Sequence, residues 1–382
     1  MIRVWVLAVA GAWLLTAGNV DHGRAASWPL WEAYVQRFVS PEGRVIDHAA
    51  DEITTSEGQS YALFFALVDN DRPLFERLRR WTSENLAGGR LGERLPAWKW
   101  GRDGKGEWGV LDENSAADAD LWIAYALLEG GRLWNESDLT RTGRALLEQV
   151  VAREVVRLPG LGAMLLPGPN GFVHADHWRL NPSYLPLQLL AAFESSSVPG
   201  PWRALRNHTI RMIAARARHG FVDDWVGYRR GRGFVADPTA GPVGSYDAIR
   251  LYLWQALLAP EDPARQKLSA LLAGPETHWR AHGHVPERVV IGRPPPANRP
   301  GPVGFLAVLL PSLFSDPDLT AFQRLAKQLD EAREGALYGK PARYYDQNLI
   351  LFAQGFVEGR YRFDVDGHLH PKWTASSASP TP

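Results

Sequence analysis

The chain has 382 residues, is 45% hydrophobic and carries 42 basic and 42 acidic side chains, so its formal net charge is zero. A neutral balance with no basic block excludes an electrostatic track for a nucleic-acid backbone. The absence of cysteine excludes disulfides, thiolate metal sites and a cysteine nucleophile.

Met1-Ile2-Arg3 followed by the apolar run from Val4 to Ala17 reads as a secretory signal, too short to span a bilayer. Cleavage fits after Ala25 or after Gly18, so residues 1–25 are assigned to the leader. Export to the periplasm or beyond is expected, with no stable membrane insertion once the leader is gone. Two kinds of helical segment then alternate. Trp28 to Val39, Pro73 to Leu86, Leu139 to Arg153, Pro201 to Arg218, Pro263 to Leu272 and Leu319 to Arg333 place apolar residues at three- and four-residue spacing on one face and charge on the other. Between and after them, segments beginning near Glu57, Asp118, Ser183, Asp247, Val303 and Asp346 are apolar on nearly every face, as in Tyr61-Ala-Leu-Phe-Phe-Ala-Leu67. Helices apolar all round are buried all round. Six of each kind predict an all-α fold, an (α/α)6 barrel with six inner and six outer helices, formed by one domain over residues 27–364. The Pro-rich stretch Arg288 to Gly301 is then a loop between barrel helices, and residues 373–382 a disordered tail.

In such a barrel the N-termini of the inner helices share one rim. The loops Trp98 to Asp112, Val173 to Asn181 and Tyr228 to Gly244 would wall a cleft there. The 16 Trp, 11 Tyr and 14 Phe suit that picture, since aromatic faces fill cores and also stack on the C–H faces of sugar rings.

Three acids open three inner helices: Glu57, Asp118 and Asp247. Each fits a purely structural reading. Thr54 with Glu57 and Ser115 with Asp118 match a capping box, and Asp247 suits an N-cap. Their convergence on one rim points instead to glycosidic acid–base chemistry, which needs two carboxyls of unequal proton affinity. A helix N-terminus favours the ionised form, so Asp118 is expected close to Glu57, holding it protonated. Asp120 projects about 200° away from Asp118 around its helix and reads as structural.

His174, Asp176 and His177 read as a polar loop beside the cleft, since no fourth metal ligand is evident. His368 and His370 are expected at the surface. Asp223-Asp224 resembles half of a two-carboxylate metal motif but lacks a matching second site.

Thr55-Ser-Glu-Gly-Gln-Ser-Tyr61, Asn114-Ser-Ala-Ala-Asp-Ala-Asp-Leu-Trp122 and Gly244-Ser-Tyr-Asp-Ala-Ile-Arg250, with Trp98-Lys-Trp100, Asn181-Pro-Ser-Tyr184 and Tyr344-Tyr-Asp-Gln-Asn348, resemble glycoside hydrolase family 8 in order and spacing. The likeness is greatest to its members associated with bacterial cellulose synthesis. Ala117 and Gly130 depart from the family signature, which usually has Ser or Thr at the first position and Ala at the second. The resemblance implies an inverting endo-β-1,4-glucanase that needs no cofactor or metal, with Glu57 as general acid and Asp247 as general base. Asp118 would hold the distorted sugar, Tyr246 and Arg250 would line its subsite, and Trp98, Trp178 and Tyr184 would stack on sugars. It also implies a β-1,4-glucan substrate and the cellulose synthase complex as a partner, with nascent cellulose trimmed in the periplasm. Inversion requires the two carboxyls about 6.5 to 9.5 Å apart. Xylan, chitosan or mixed-linkage glucan on the same scaffold, and a non-catalytic glycan-binding export component, are the competing readings.

Overall fold

A computed structural model describes residues 27–376, so the leader assigned to residues 1–25 lies outside the described residues. Outer α1 (Pro29–Phe38) leads into inner α2 (Ser56–Val68), and outer α3 (Arg72–Leu86) into inner α4 (Ala117–Trp134). Outer α5 (Ser137–Arg153) leads into inner α6 (Leu187–Ser195), and outer α7 (Trp202–Arg216) into inner α8 (Ala248–Ala256). Two short helices, α9 (Pro263–Leu271) and α10 (Gly274–His282), share the fifth outer position. Another two, α11 (Val303–Ala307) and α12 (Leu310–Phe314), share the fifth inner one. Outer α13 (Thr320–Glu331) and inner α14 (Tyr344–Val357) complete an (α/α)6 barrel, which closes where α14 meets α1.

The two helix classes follow from their side chains. In α2 every residue from Gly58 to Val68 is buried, whereas α3 buries only Leu74, Phe75, Leu78, Trp81, Thr82 and Leu86 along one stripe. Small residues set the closest approach, between α4 and α5. A Cβ on Gly131 would lie 2.2 Å from Thr140 Oγ1 and 2.8 Å from its backbone nitrogen. Aromatic rings fill the barrel axis: Phe352 lies 4.6 Å from Phe65, 5.1 Å from Tyr61 and 5.0 Å from Trp254, and Trp122 lies 5.3 Å from Trp254.

Proline accounts for the main departures from the predicted helices. The third inner helix starts at Leu187 and not near Ser183, because Pro182 opens a 3-10 turn and Pro186 takes the N-cap position of α6. The fifth inner helix breaks because the ring of Pro311 excludes a helical carbonyl at Ala307, the last residue of α11. The rim segments expected as loops contain antiparallel strands. Lys99–Arg102 pairs with both Thr54–Thr55 and Trp108–Asp112, and Val226–Arg229 pairs with both Trp178–Leu180 and Gly233–Ala236.

The domain does not stop at Asp364. Tyr361–Phe363 pairs with Leu369–Pro371, and the helix Lys372–Ser376 follows, with Trp373 Nε1 donating to Leu67 O at 3.3 Å. The tail boundary at residue 373 is therefore corrected: the first residues assigned to it dock on the core. His368 is corrected too, because its Nδ1 lies 2.9 Å from Oε1 of buried Glu129. His370 is exposed and bonds Asp364.

Candidate active site

At the start of α2, Thr55 is the N-cap: its hydroxyl accepts from Gly58 N at 3.1 Å, while Thr54 lies in the strand before it. The expected Thr54–Glu57 capping box is thus replaced by a cap that leaves the Glu57 carboxyl free. At the start of α4 the N-cap is Ala116, with no side-chain cap, and Ser115 turns away to donate to Glu154 Oε1 at 2.6 Å. Asp247 occupies the N-cap position of α8 but caps nothing. That helix is capped by Asp224, whose Oδ1 accepts from Ser245 N and Ala248 N, each at 2.7 Å. Asp118 Oδ1 does accept from Ala119 N at 2.9 Å in its own first turn, but capping does not explain the acids at positions 57 and 247.

Arg250, one turn into α8, gathers them. Its Nη1 donates to Glu57 Oε1 at 2.7 Å and to Asp118 Oδ2 at 2.9 Å, and its Nη2 donates to Asp247 Oδ1 at 2.6 Å and to Ser183 Oγ at 3.1 Å. Glu57 and Asp247 bond different nitrogens of one guanidinium, so their bonded oxygens are at most about 8 Å apart by covalent geometry. The side chains of Arg250 and Asp118 are 2% and 3% exposed, whereas those of Glu57 and Asp247 are 24% and 27% exposed. Two carboxyls thus reach solvent across a buried cation, with a third beneath them. Asp118 lies close to Glu57 as expected, although the cation placed between them had been assigned only to lining the subsite.

One guanidinium facing three carboxylates leaves negative charge in a poorly hydrated place. Burial pushes the Asp118 carboxyl up to about 7, against the Arg250 cation and reinforced by the charge of Glu57. The same cluster drives the Arg250 guanidinium well above its ordinary range, against its own burial. Behind it, on the same turn of α4, Asp120 meets Glu154. Both are buried and neither has an ion pair among the described residues, so burial raises both carboxyls and the pair retains a proton. Asp120 takes no part in the ion pairs of Arg250 among the described residues.

The surrounding walls come from all parts of the chain. The Tyr184 ring lies 5.4 Å from the Arg250 guanidinium carbon, and the Tyr61 hydroxyl lies 3.5 Å from Nη1. Tyr246 is 41% exposed, donates to Glu287 Oε1 at 2.9 Å, and its carbonyl accepts from the Tyr345 hydroxyl. Trp98 is half-buried, and its carbonyl accepts from Ser56 N at 3.0 Å, directly before Glu57. Trp178 packs 6.2 Å from Tyr228, its partner across the sheet, and so shares Tyr228's face. The opposite face carries Arg179 and Trp225, and Trp225 lies 6.3 Å from Tyr184 and stacks on Phe172 at 5.9 Å. Trp225 and Phe172 were not singled out in the sequence. The alternation of Trp225, just before the strand, with Val226, Gly227 and Tyr228 inside it is the signal that could have separated the two faces.

Neither remaining acidic group joins the cluster as a metal motif. Asp176 pairs with His177 at 2.7 Å and with Arg229 at 3.0 Å. Asp223 makes a two-pronged ion pair with Arg216 at 2.9 and 3.0 Å, while Asp224 caps α8.

The sequence matches the family described as Glycosyl hydrolases family 8 over residues 9–359. The chain belongs to that family. An endoglucanase of Xanthomonas axonopodis pv. citri (strain 306) is 43% identical over 382 residues, covering 100% of this chain and 98% of its own. An endoglucanase of Escherichia coli (strain K12) is 42% identical, covering 96% of each chain. Among family 8 relatives of known structure, an endo-1,4-D-glucanase from Vibrio fischeri ES114 superposes with a TM-score of 0.83 at 38% identity, over 91% of this chain and 100% of its own. The chain is accordingly a glycoside hydrolase, and in the family 8 barrel the Glu57, Asp118, Asp247 and Arg250 cluster stands at the rim where the inner helices begin.

Proposed function

We propose that the protein is an inverting endo-β-1,4-glucanase in which Glu57 protonates the leaving oxygen and Asp247 draws the proton from the attacking water. The observation that carries this reading is the disposition of those two carboxyls, both open to solvent and set on opposite nitrogens of a buried guanidinium. The endoglucanase names of full-length relatives support the substrate class. Asp118, buried beneath both, is assigned to hold the sugar whose bond is cut. The secretory character of the first 25 residues supports action in the periplasm or outside the cell, and trimming of cellulose chains beside their synthase is the role that suits such an enzyme.

Hydrolysis of carboxymethylcellulose, xylan, chitosan and mixed-linkage glucan by native protein and by Glu57→Gln tests the reading. The native enzyme is expected to prefer the β-1,4-glucan, and Glu57→Gln to lose about 10²- to 10⁴-fold in kcat. A Glu57→Gln variant with native activity would show that Glu57 is not the acid, and a native protein that hydrolyses none of the four polymers would leave only a glycan-binding protein.

A further inference from the structure

We propose that Asp224 is a positioning residue for the hydrolytic reaction: it caps α8 in place of Asp247 and thereby leaves the Asp247 carboxylate free for the attacking water. This rests on the reading of Asp247 as general base.

An aspartate at an N-cap ordinarily folds back onto the first free amides of its own helix, because those donors lack an intrahelical partner. Asp247 stands at that position, in right-handed helical geometry at φ −80° and ψ −52°, and makes no such bond. Its Oδ1 is taken by Arg250 instead. The orphan amides of Ser245 and Ala248 are satisfied by one oxygen of Asp224, which comes from a separate segment of the chain. Without it, the Ala248 amide would be free to compete with Arg250 and water for Asp247, as Ala119 N takes Asp118 Oδ1 at 2.9 Å in α4.

The Asp224 segment is built as a rigid bracket. Asp223 ties it to Arg216 of α7 by two bonds, Val222 N donates to the Tyr252 hydroxyl of α8 at 3.1 Å, and Asp224 N donates to Val243 O at 2.7 Å. The approach is so close that a Cβ on Gly244 would lie 2.3 Å from Val222 O. Only glycine fits there, which explains the residue that opens the segment Gly244-Ser-Tyr-Asp247. The charged and titratable groups facing Asp224 are Asp247 and Arg250, with Tyr252 and Tyr345 nearby. Burial together with the Asp247 charge raises the Asp224 carboxyl to about 6.

Asp224→Ala, Asp224→Asn and Asp247→Ala, assayed on carboxymethylcellulose across pH alongside thermal unfolding, test the proposal. Asp224→Ala removes the cap. It is expected to lower kcat by about 10- to 100-fold, the penalty of a misplaced reacting group, while KM stays within about threefold. Asp224→Asn keeps an acceptor for both amides but not the charge. It is expected to restore kcat to within about threefold of native. A folded Asp224→Ala with native kcat, or an Asp224→Asn that loses as much kcat as Asp224→Ala, would overturn the proposal. Should Asp224→Ala fail to fold, Asp224→Ser, whose short hydroxyl cannot reach both amides, takes its place with the same outcomes. Asp247→Ala reports separately on the underlying reading: if it stays active, Asp247 is not the base, whereas an inactive Asp247→Ala beside a native Asp224→Ala removes only the positioning role.

Discussion

Arg250 holds three carboxylates that would otherwise repel one another in a buried place, and each of those carboxylates comes from a different inner helix or its own turn. Removing one partner of a buried ion cluster leaves charge without compensation, which is more damaging than never having built the cluster. Arg250→Met is therefore expected to destabilise the fold by about 3 kcal/mol or more, read by urea denaturation, and to abolish hydrolysis. Arg250→Lys, with one point charge and no fork, would recover part of the stability but not the spacing of Glu57 and Asp247. A second prediction concerns protons. The carboxyls of Asp118, Asp120 and Glu154 are raised in the folded chain, so the folded state binds more protons than the unfolded one. Their contribution to stability is full below the ordinary carboxyl range and is lost as pH rises through the raised values. Unfolding temperature is expected to fall between about pH 5 and pH 9, and Asp120→Asn, which donates to Glu154 without needing a proton, is expected to flatten that slope. An Asp120→Asn protein with the native slope would show that the Asp120–Glu154 proton is not responsible.

At the scale of elements, the helices were legible because burial leaves a period in the sequence. α3 carries a stripe and α2 carries none, and both patterns place their helices to within a residue or two. Proline effects were written in the sequence as well, yet Pro186 and Pro311 shift or break helices whose apolar patterns run on through them. The rim strands were hidden, since Trp108-Gly-Val-Leu-Asp112 and its partner are short and half exposed, and their pairing depends on residues distant in the chain. The same holds for the C-terminal hairpin, which α4 holds through buried Glu129, bonded by His368, Arg132 and Leu369 N, and through Tyr125, whose hydroxyl donates to Gly367 O. The bond to Glu129 raises the His368 imidazole above its ordinary range, so its stabilisation is present at low pH and lost as pH rises through the raised value. His368→Ala should lower the unfolding temperature clearly at about pH 5.5 and only slightly at about pH 9, measured by scanning calorimetry. Equal losses at both would assign the residue a packing role alone.

For the whole molecule, ring closure is what turns three separated sequence segments into one site. The N-termini of α2, α4 and α8 meet around Arg250, the turn before α6 adds Ser183, and α14 adds Tyr344, whose hydroxyl lies 3.2 Å from that of Thr55. Glu57, Asp118 and Asp247 could be named from sequence because each opens a helix that a barrel must aim at the same rim. Arg250 could be named but not its central place, because nothing local says that one side chain reaches three helices. Asp224 and Trp225 belong to strand and bracket geometry, which no helical period reveals. The claim on which the rest depends is that Glu57 and Asp247 act on one glycosidic bond from opposite sides, with the attacking water on the side of Asp247. Proton NMR of the first products released from carboxymethylcellulose reads this directly. New reducing ends appearing first as the α-anomer, then mutarotating, are the expected result; first appearance of the β-anomer would contradict it.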